Sequence, residues 1–117
     1  MGITFIEGTV TGPSGKKATL RFLIDSGATY TVLPEPVRKE LGLRGNRRES
    51  FVLTDGTFVD REVSECKIQL AERGGHTPVI LGYPGDEALL GVITLENLGL
   101  ILNPFSRTLQ KMNLRLG

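Results

Sequence analysis

The sequence predicts a mostly β domain, closed and barrel-like, with one or two short helices. Three observations predict it. Fifteen glycines and six prolines divide the chain into short apolar runs, the punctuation expected where strands alternate with tight turns. Ala18, Leu20, Phe22 and Ile24 recur at every second position, which puts them on one face of a strand. Asp55-Gly56 separates two further runs and is a strong hairpin dipeptide.

The elements follow in order. Ile3 to Thr11 reads as a strand, and GPSGKK as the turn that ends it. Lys17 to Asp25 is the return strand. PEPVRKELGL reads as a short helix, with proline near its start, Val37 and Leu41 four apart, and Gly42 as its stop. Phe51 to Leu53 and Thr57 to Leu70 form a hairpin about Asp55-Gly56. Thr77 to Leu81 is another strand. GVITLENLG suggests a second short helix closed by Gly99. Leu100 to Leu102 and Thr108 to Met112 are expected to pair around NPFSR. No linker or repeat divides the 117 residues, so residues 1–117 are expected to form a single domain.

Composition narrows the function. Fourteen basic side chains against thirteen acidic ones leave a net charge of +1, which makes no case for nucleic acid or an anionic membrane as partner. Arg44, Arg47 and Arg48 lie in a glycine-containing connection without interleaved aromatics and read as a solvated loop. Cys66 is the single cysteine, so neither an internal disulfide nor a cysteine metal site can form. Its place in the alternation with Ile68 and Leu70 makes it a small buried hydrophobe. The start MGITFIEG lacks the charged head and long apolar core of a signal peptide. No apolar run nears the ~20 residues of a membrane helix. A soluble, cytoplasmic setting is expected.

Two motifs invite chemistry and fail on inspection. TGPSGKK lacks the earlier glycine and the Ser or Thr after lysine that a phosphate loop needs; Val10 and Lys17 stand there instead. His76 is the only histidine, and its setting after Gly74-Gly75 reads as an exposed loop. Neither a histidine-dependent nucleophile nor a zinc site is expected from it. Asp55 is explained by turn chemistry. Asp60, Asp86 and Glu87 read as surface charges, with a substrate contact from the Asp86 loop conceivable.

What remains is FLIDSGATYTVLP at 22–34. Three apolar residues lead into Asp25, where a buried carboxylate would be costly without a partner. By itself this fits an ordinary turn aspartate. Downstream, residues 88–91 read ALLG and are followed by VITLENLGLILNP. IDSGA with VLP, the Asp-Gly hairpin, and LLG plus helix, in that order over about residues 17–104, resemble the retropepsin-like aspartic proteases, single-domain relatives of pepsin.

The resemblance implies roles and a retropepsin fold. Asp25 would be the catalytic carboxylate. Ser26, Gly27 and Ala28 would complete its loop, Ser26 by a hydrogen bond across the site and Gly27 by admitting substrate backbone. Leu89, Leu90 and Gly91 would brace that loop. Leu53, Thr54, Asp55, Gly56 and Thr57 would form the flap over a bound peptide. No cofactor is implied. Peptide hydrolysis of this kind needs two carboxylates sharing a proton, and the chain has no second Asp-Ser/Thr-Gly. The partner would be Asp25 of a second copy, giving a symmetric homodimer. Val32, Ile80 and Leu81 would be pocket walls.

Some positions depart from viral members of the family. Ser26 replaces the commoner threonine, and Thr29, Tyr30 and Val92 stand where viral enzymes carry dimer-holding ion pairs. TDGT is less glycine-rich than a viral flap, and FSRTLQKMNLRLG runs past the usual end. The cellular and bacterial branch is the closer match. The same departures motivate an alternative, a non-catalytic relative that uses the fold to bind peptide or to dimerise. Cleavage that depends on Asp25 discriminates the two.

Overall fold

The computed structural model describes residues 3–25, 27–103, 105–113 and 116. The described residues form nine strands and two short helices: β1 (Phe5–Thr11), β2 (Lys17–Ile24), β3 (Thr31–Leu33), α1 (Glu35–Glu40), β4 (Arg47–Val52), β5 (Phe58–Leu70), β6 (Arg73–Leu81), β7 (Leu89–Leu90), α2 (Val92–Asn97), β8 (Leu100–Asn103) and β9 (Thr108–Lys111). The domain is mostly β, as its sequence predicts. Among the described residues no helix is long and apolar enough to cross a membrane.

Local chemistry sets the boundaries. The β1–β2 turn closes with Gly15 N–H donating to the Gly12 carbonyl at 3.0 Å. Helix α1 starts after an extended Pro34. It stops where Leu43 N–H reaches the Arg38 carbonyl and Gly42 N–H the Lys39 carbonyl, at 3.0 and 3.1 Å, the paired bonds of a Schellman ending. The alternation seen in β2 turns Phe22 fully inward, with Ala18, Leu20 and Ile24 packed against the same core.

Seven strands form one sheet in the order β1-β2-β7-β3-β6-β5-β4. Strand β5 is long enough to serve three neighbours. Its first half pairs with β4, its second half with β1 through Gly8↔Leu70 to Thr11↔Lys67, and β6 runs along its other edge. Pairings therefore run in a ring from β1 through β2, β7, β3, β6 and β5 back to β1. The β2–β7 and β3–β6 pairs are parallel. Strands β8 and β9 make a separate two-stranded sheet, so the tail forms a hairpin of its own.

Three local expectations are corrected. Arg47 and Arg48 belong to β4, opposite Val63 and Glu62, rather than to a loop; Arg48 and Glu62 come within 3.9 Å across the ladder. His76 lies in β6 opposite Lys67, because β6 begins at Arg73 and takes in the two glycines. Its side chain is exposed. Leu81 is a core residue, 2% exposed, and no pocket wall.

The core gathers the inward residues of the ring with Leu41, Leu95 and Leu98 from around the helices. Cys66 is among them, and burial pushes its thiol up to about 12. In the folded protein at pH 8 it should therefore resist a maleimide for hours, whereas urea-unfolded chain should label within minutes. Rapid native labelling, read by mass, would contradict this packing.

Candidate active site

The loop after β2 carries Asp25, whose side chain is exposed. Its carboxylate accepts the Gly27 N–H at 2.9 Å, and Ala28 N–H donates to the Asp25 carbonyl at 3.0 Å. The loop thus closes on itself around the carboxylate. Ser26 lies outside the described residues.

Helix α2 fixes the far side of this loop. The first N–H groups of a helix have no partner inside it. Here Val92 N–H donates to the Ala28 carbonyl and Ile93 N–H to the Thr29 carbonyl, at 2.9 and 3.0 Å. Gly91, the residue before the helix, has no room for a side chain: a Cβ would overlap the backbone of Tyr30 and Thr29. Leu89 and Leu90 pair in parallel with Leu23 and Ile24, so the segment expected to brace the loop lies directly beside the strand that delivers Asp25.

A buried chain of hydroxyls adds to this hold. Gly91 N–H donates to Thr31 Oγ1 at 3.0 Å. Thr31 and Thr94 hydroxyls meet at 2.5 Å, and Thr94 and Thr77 at 2.7 Å. Thr77 donates onward to the Pro78 carbonyl at 3.3 Å. Each hydroxyl has one proton, so counting from the Thr77 end fixes every direction: Thr94 donates to Thr77, and Thr31 to Thr94. All three threonines are at most 1% exposed, and they tie β3, α2 and β6 together. No sequence motif singled them out; three threonines spread over sixty-odd positions meet only in the folded chain.

Beside the loop opens a cleft of about 500 Å³. Gly27, Ala28 and Tyr30 line it together with Phe51 and Leu53 of the β4–β5 hairpin, with Val32 and Ile80 among the apolar walls. Asp25 is not itself in the lining; the Gly27 bound to its carboxylate is. Asp86 and Glu87 line it as well; Glu87 is exposed and Asp86 half-buried, surface charges that border the cleft. Of the hairpin tip, only Leu53 reaches the cleft.

That tip is a tight turn. Leu53 N–H donates to the Thr57 carbonyl at 2.7 Å and Gly56 N–H to the Leu53 carbonyl at 2.9 Å. Thr57 N–H donates to Asp55 Oδ1 at 2.9 Å. Hydrogen bonds from Thr57, side chain first and backbone second, hold the exposed Asp55 carboxyl below its ordinary value of 3.8. Lower down, Arg47 Nη2 donates to the Tyr30 hydroxyl at 3.2 Å, and the Tyr30 and Phe51 rings meet edge to face at 5.6 Å. The Tyr30 hydroxyl, then Glu49, push the Arg47 guanidinium above its already high ordinary pKa. The hairpin is thereby joined to the aspartate loop at its base while its tip stays exposed. Among the described residues no three His, Cys, Asp or Glu side chains gather as a metal site would require.

A hairpin and an aspartate loop that border one apolar-walled cleft, on a mostly β frame, define a domain of the acid-protease type. The family model described as aspartyl protease matches residues 6–94, and the chain belongs to that family. A search of curated proteins finds no match to it.

Two outcomes test this construction. Thr94→Val keeps the shape but strands the Thr31 proton and removes the donor to Thr77, which should cost about 1–3 kcal/mol in urea unfolding; Thr94→Ser should recover most of it. Because the Asp55 pKa is lowered, its hold on the turn is complete above the ordinary carboxylate value and lost as pH falls through the folded one. The Gly56 and Thr57 amide signals should stay constant from neutral pH to about 4 and shift below it, and Asp55→Asn should abolish that acid step.

Proposed function

We propose that the protein is an aspartic endopeptidase, active as a homodimer of retropepsin-like barrels in which two copies of Asp25 share one water. The observation that carries this reading is the exposed Asp25 carboxylate, closed in its loop by Gly27 N–H and anchored through Ala28 and Thr29 to the start of α2. A turn aspartate with no further task needs no such anchoring. Membership of the aspartyl protease family supports the same reading.

The chemistry follows from bringing the two carboxylates together. Two negative charges ~3 Å apart repel by on the order of 5 kcal/mol at an effective dielectric of 20. One carboxyl therefore stays protonated. The ionised one takes a proton from the water as its oxygen attacks the peptide carbonyl carbon, and the protonated one donates to the carbonyl oxygen. The gem-diol intermediate then collapses: the carboxyl that took the water's proton gives it to the departing nitrogen as the C–N bond breaks, and the other carboxylate recovers its proton from a gem-diol hydroxyl as the new carboxyl group forms.

The remaining parts have matching tasks. Gly27, without a Cβ, lets the peptide backbone pass close to the carboxylates. Leu53 to Thr57 close over the bound peptide as a flap and exclude water. The peptide binds extended between the flap and the Asp25 loops, its apolar side chains against Val32 and Ile80.

The test is cleavage of a diverse peptide mixture between pH 4 and 7.5, with new termini read by mass spectrometry. Wild-type protein should cut, and Asp25→Asn should lower the rate by at least about 1000-fold while circular dichroism and the urea midpoint stay unchanged. Equal cutting by both, or none by a folded, dimeric wild type, would refute the enzyme and leave a peptide-binding relative.

A further inference from the structure

The lining of the cleft includes a contact that the proposed reaction does not use. Tyr83, Pro84, Gly85 and Asp86 form a β-turn, with Asp86 N–H donating to the Tyr83 carbonyl at 3.0 Å. Proline at the second place and a glycine with φ of 87° at the third are what a type II turn requires. Tyr83 N–H donates to Asp86 Oδ2 at 2.8 Å, so the turn presents ring and carboxylate together. Both grip one side chain. The Arg61 guanidinium stacks on the Tyr83 ring at 3.9 Å and lies 4.0 Å from Asp86 Oδ2. Arg61 belongs to β5, the return strand of the hairpin, and both Arg61 and Asp86 line the cleft.

The turn is fixed at its root as well. Gly82 N–H donates to the Leu33 carbonyl at 2.8 Å, and Arg38 Nε of α1 donates to the Gly82 carbonyl at 2.9 Å. Arg61 is held on its own strand by Nη1 donating to the Asp60 carbonyl at 3.1 Å, and the same carbonyl receives the Tyr83 hydroxyl at 3.5 Å. Cation–π contacts that are partly desolvated are stronger than exposed ones, and the Arg61 side chain retains 22% of its exposure. A planar guanidinium can pack on an aromatic face in a way that a lysine ammonium does not reproduce.

Resting on the peptide-cleaving reading of this cleft, we propose that Arg61, clasped by Tyr83 and Asp86, is a specificity-determining residue that walls off one end of the cleft and limits the size of the substrate side chain admitted there. The neighbouring walls, Val32, Val59, Ile80 and Leu89, are apolar, so the side chain concerned is an apolar one. Opening the clasp extends the apolar space and favours larger side chains over smaller.

Binding tests this apart from cleavage. Folded, dimeric Asp25→Asn protein is equilibrated with a mixture of short peptides carrying Ala, Val, Leu or Phe at each position in turn, and the retained peptides are quantified by mass spectrometry. Tyr83→Ala and Arg61→Ala should raise the retained ratio of Phe to Ala peptides at one position by about tenfold. Tyr83→Phe, which keeps the stack and loses only the hydroxyl, should keep the original ratio. A ratio unmoved by either alanine change, equal weakening of all peptides, or no retention by any form would each overturn the clasp. Retention with the predicted selection, beside a wild type that cuts nothing, would uphold the clasp and defeat the protease.

Discussion

The start of helix α2 is the point on which the rest of the site depends. Two amide groups with no partner inside the helix meet two carbonyls of the Asp25–Tyr30 loop, and each need satisfies the other. A helix of six residues has little stability of its own. It is held by what it packs against, through buried Leu95 and Thr94. Gly91 makes the approach possible because no side chain stands between helix and loop. Helix, bend and loop therefore form one unit. The aspartate owes its position to residues more than sixty places later in the chain.

The frame was readable in the sequence where local chemistry decides it. Alternation identified β2, the glycine-bounded apolar pattern identified both helices, and Asp55-Gly56 identified the hairpin. Short-range signals failed where a neighbouring strand decides. Arg47 and Arg48 read as loop because their immediate surroundings are polar and glycine-containing, yet β5 continues past them and recruits them by pairing. His76 became strand for the same reason: Ile68 to Leu70 offer Arg73 to Gly75 a ladder, and two glycines do not prevent it. Strand β3 has only three residues, too few for a period to show.

The candidate site divides along the same line. Asp25, Gly27, Ala28, Leu89, Leu90 and Gly91 were visible as ordered motifs, and they do come together. The threonine chain and the Arg61 clasp were not, since side chains distant in sequence show no spacing to read. Tyr-Pro-Gly-Asp was the one available signal for the clasp: a turn sequence that sets a ring and a carboxylate three residues apart. What it could not reveal was the arginine opposite. The hairpin is joined to the body at its base on both flanks, by Arg47 with Tyr30 and by Arg61 with Tyr83, while its tip relies on its own turn.

The pairing of β1 with the second half of β5 joins residues 8–11 to residues 67–70. Contacts so distant along the chain form late, because a long stretch must be ordered before they reward it. Until they form, β1 has one side without a partner and so does the end of β5. Those are the edges onto which another unfinished chain can add. Crowded nascent chains are therefore exposed to mispairing at this seam, and its closure removes the hazard from the finished ring.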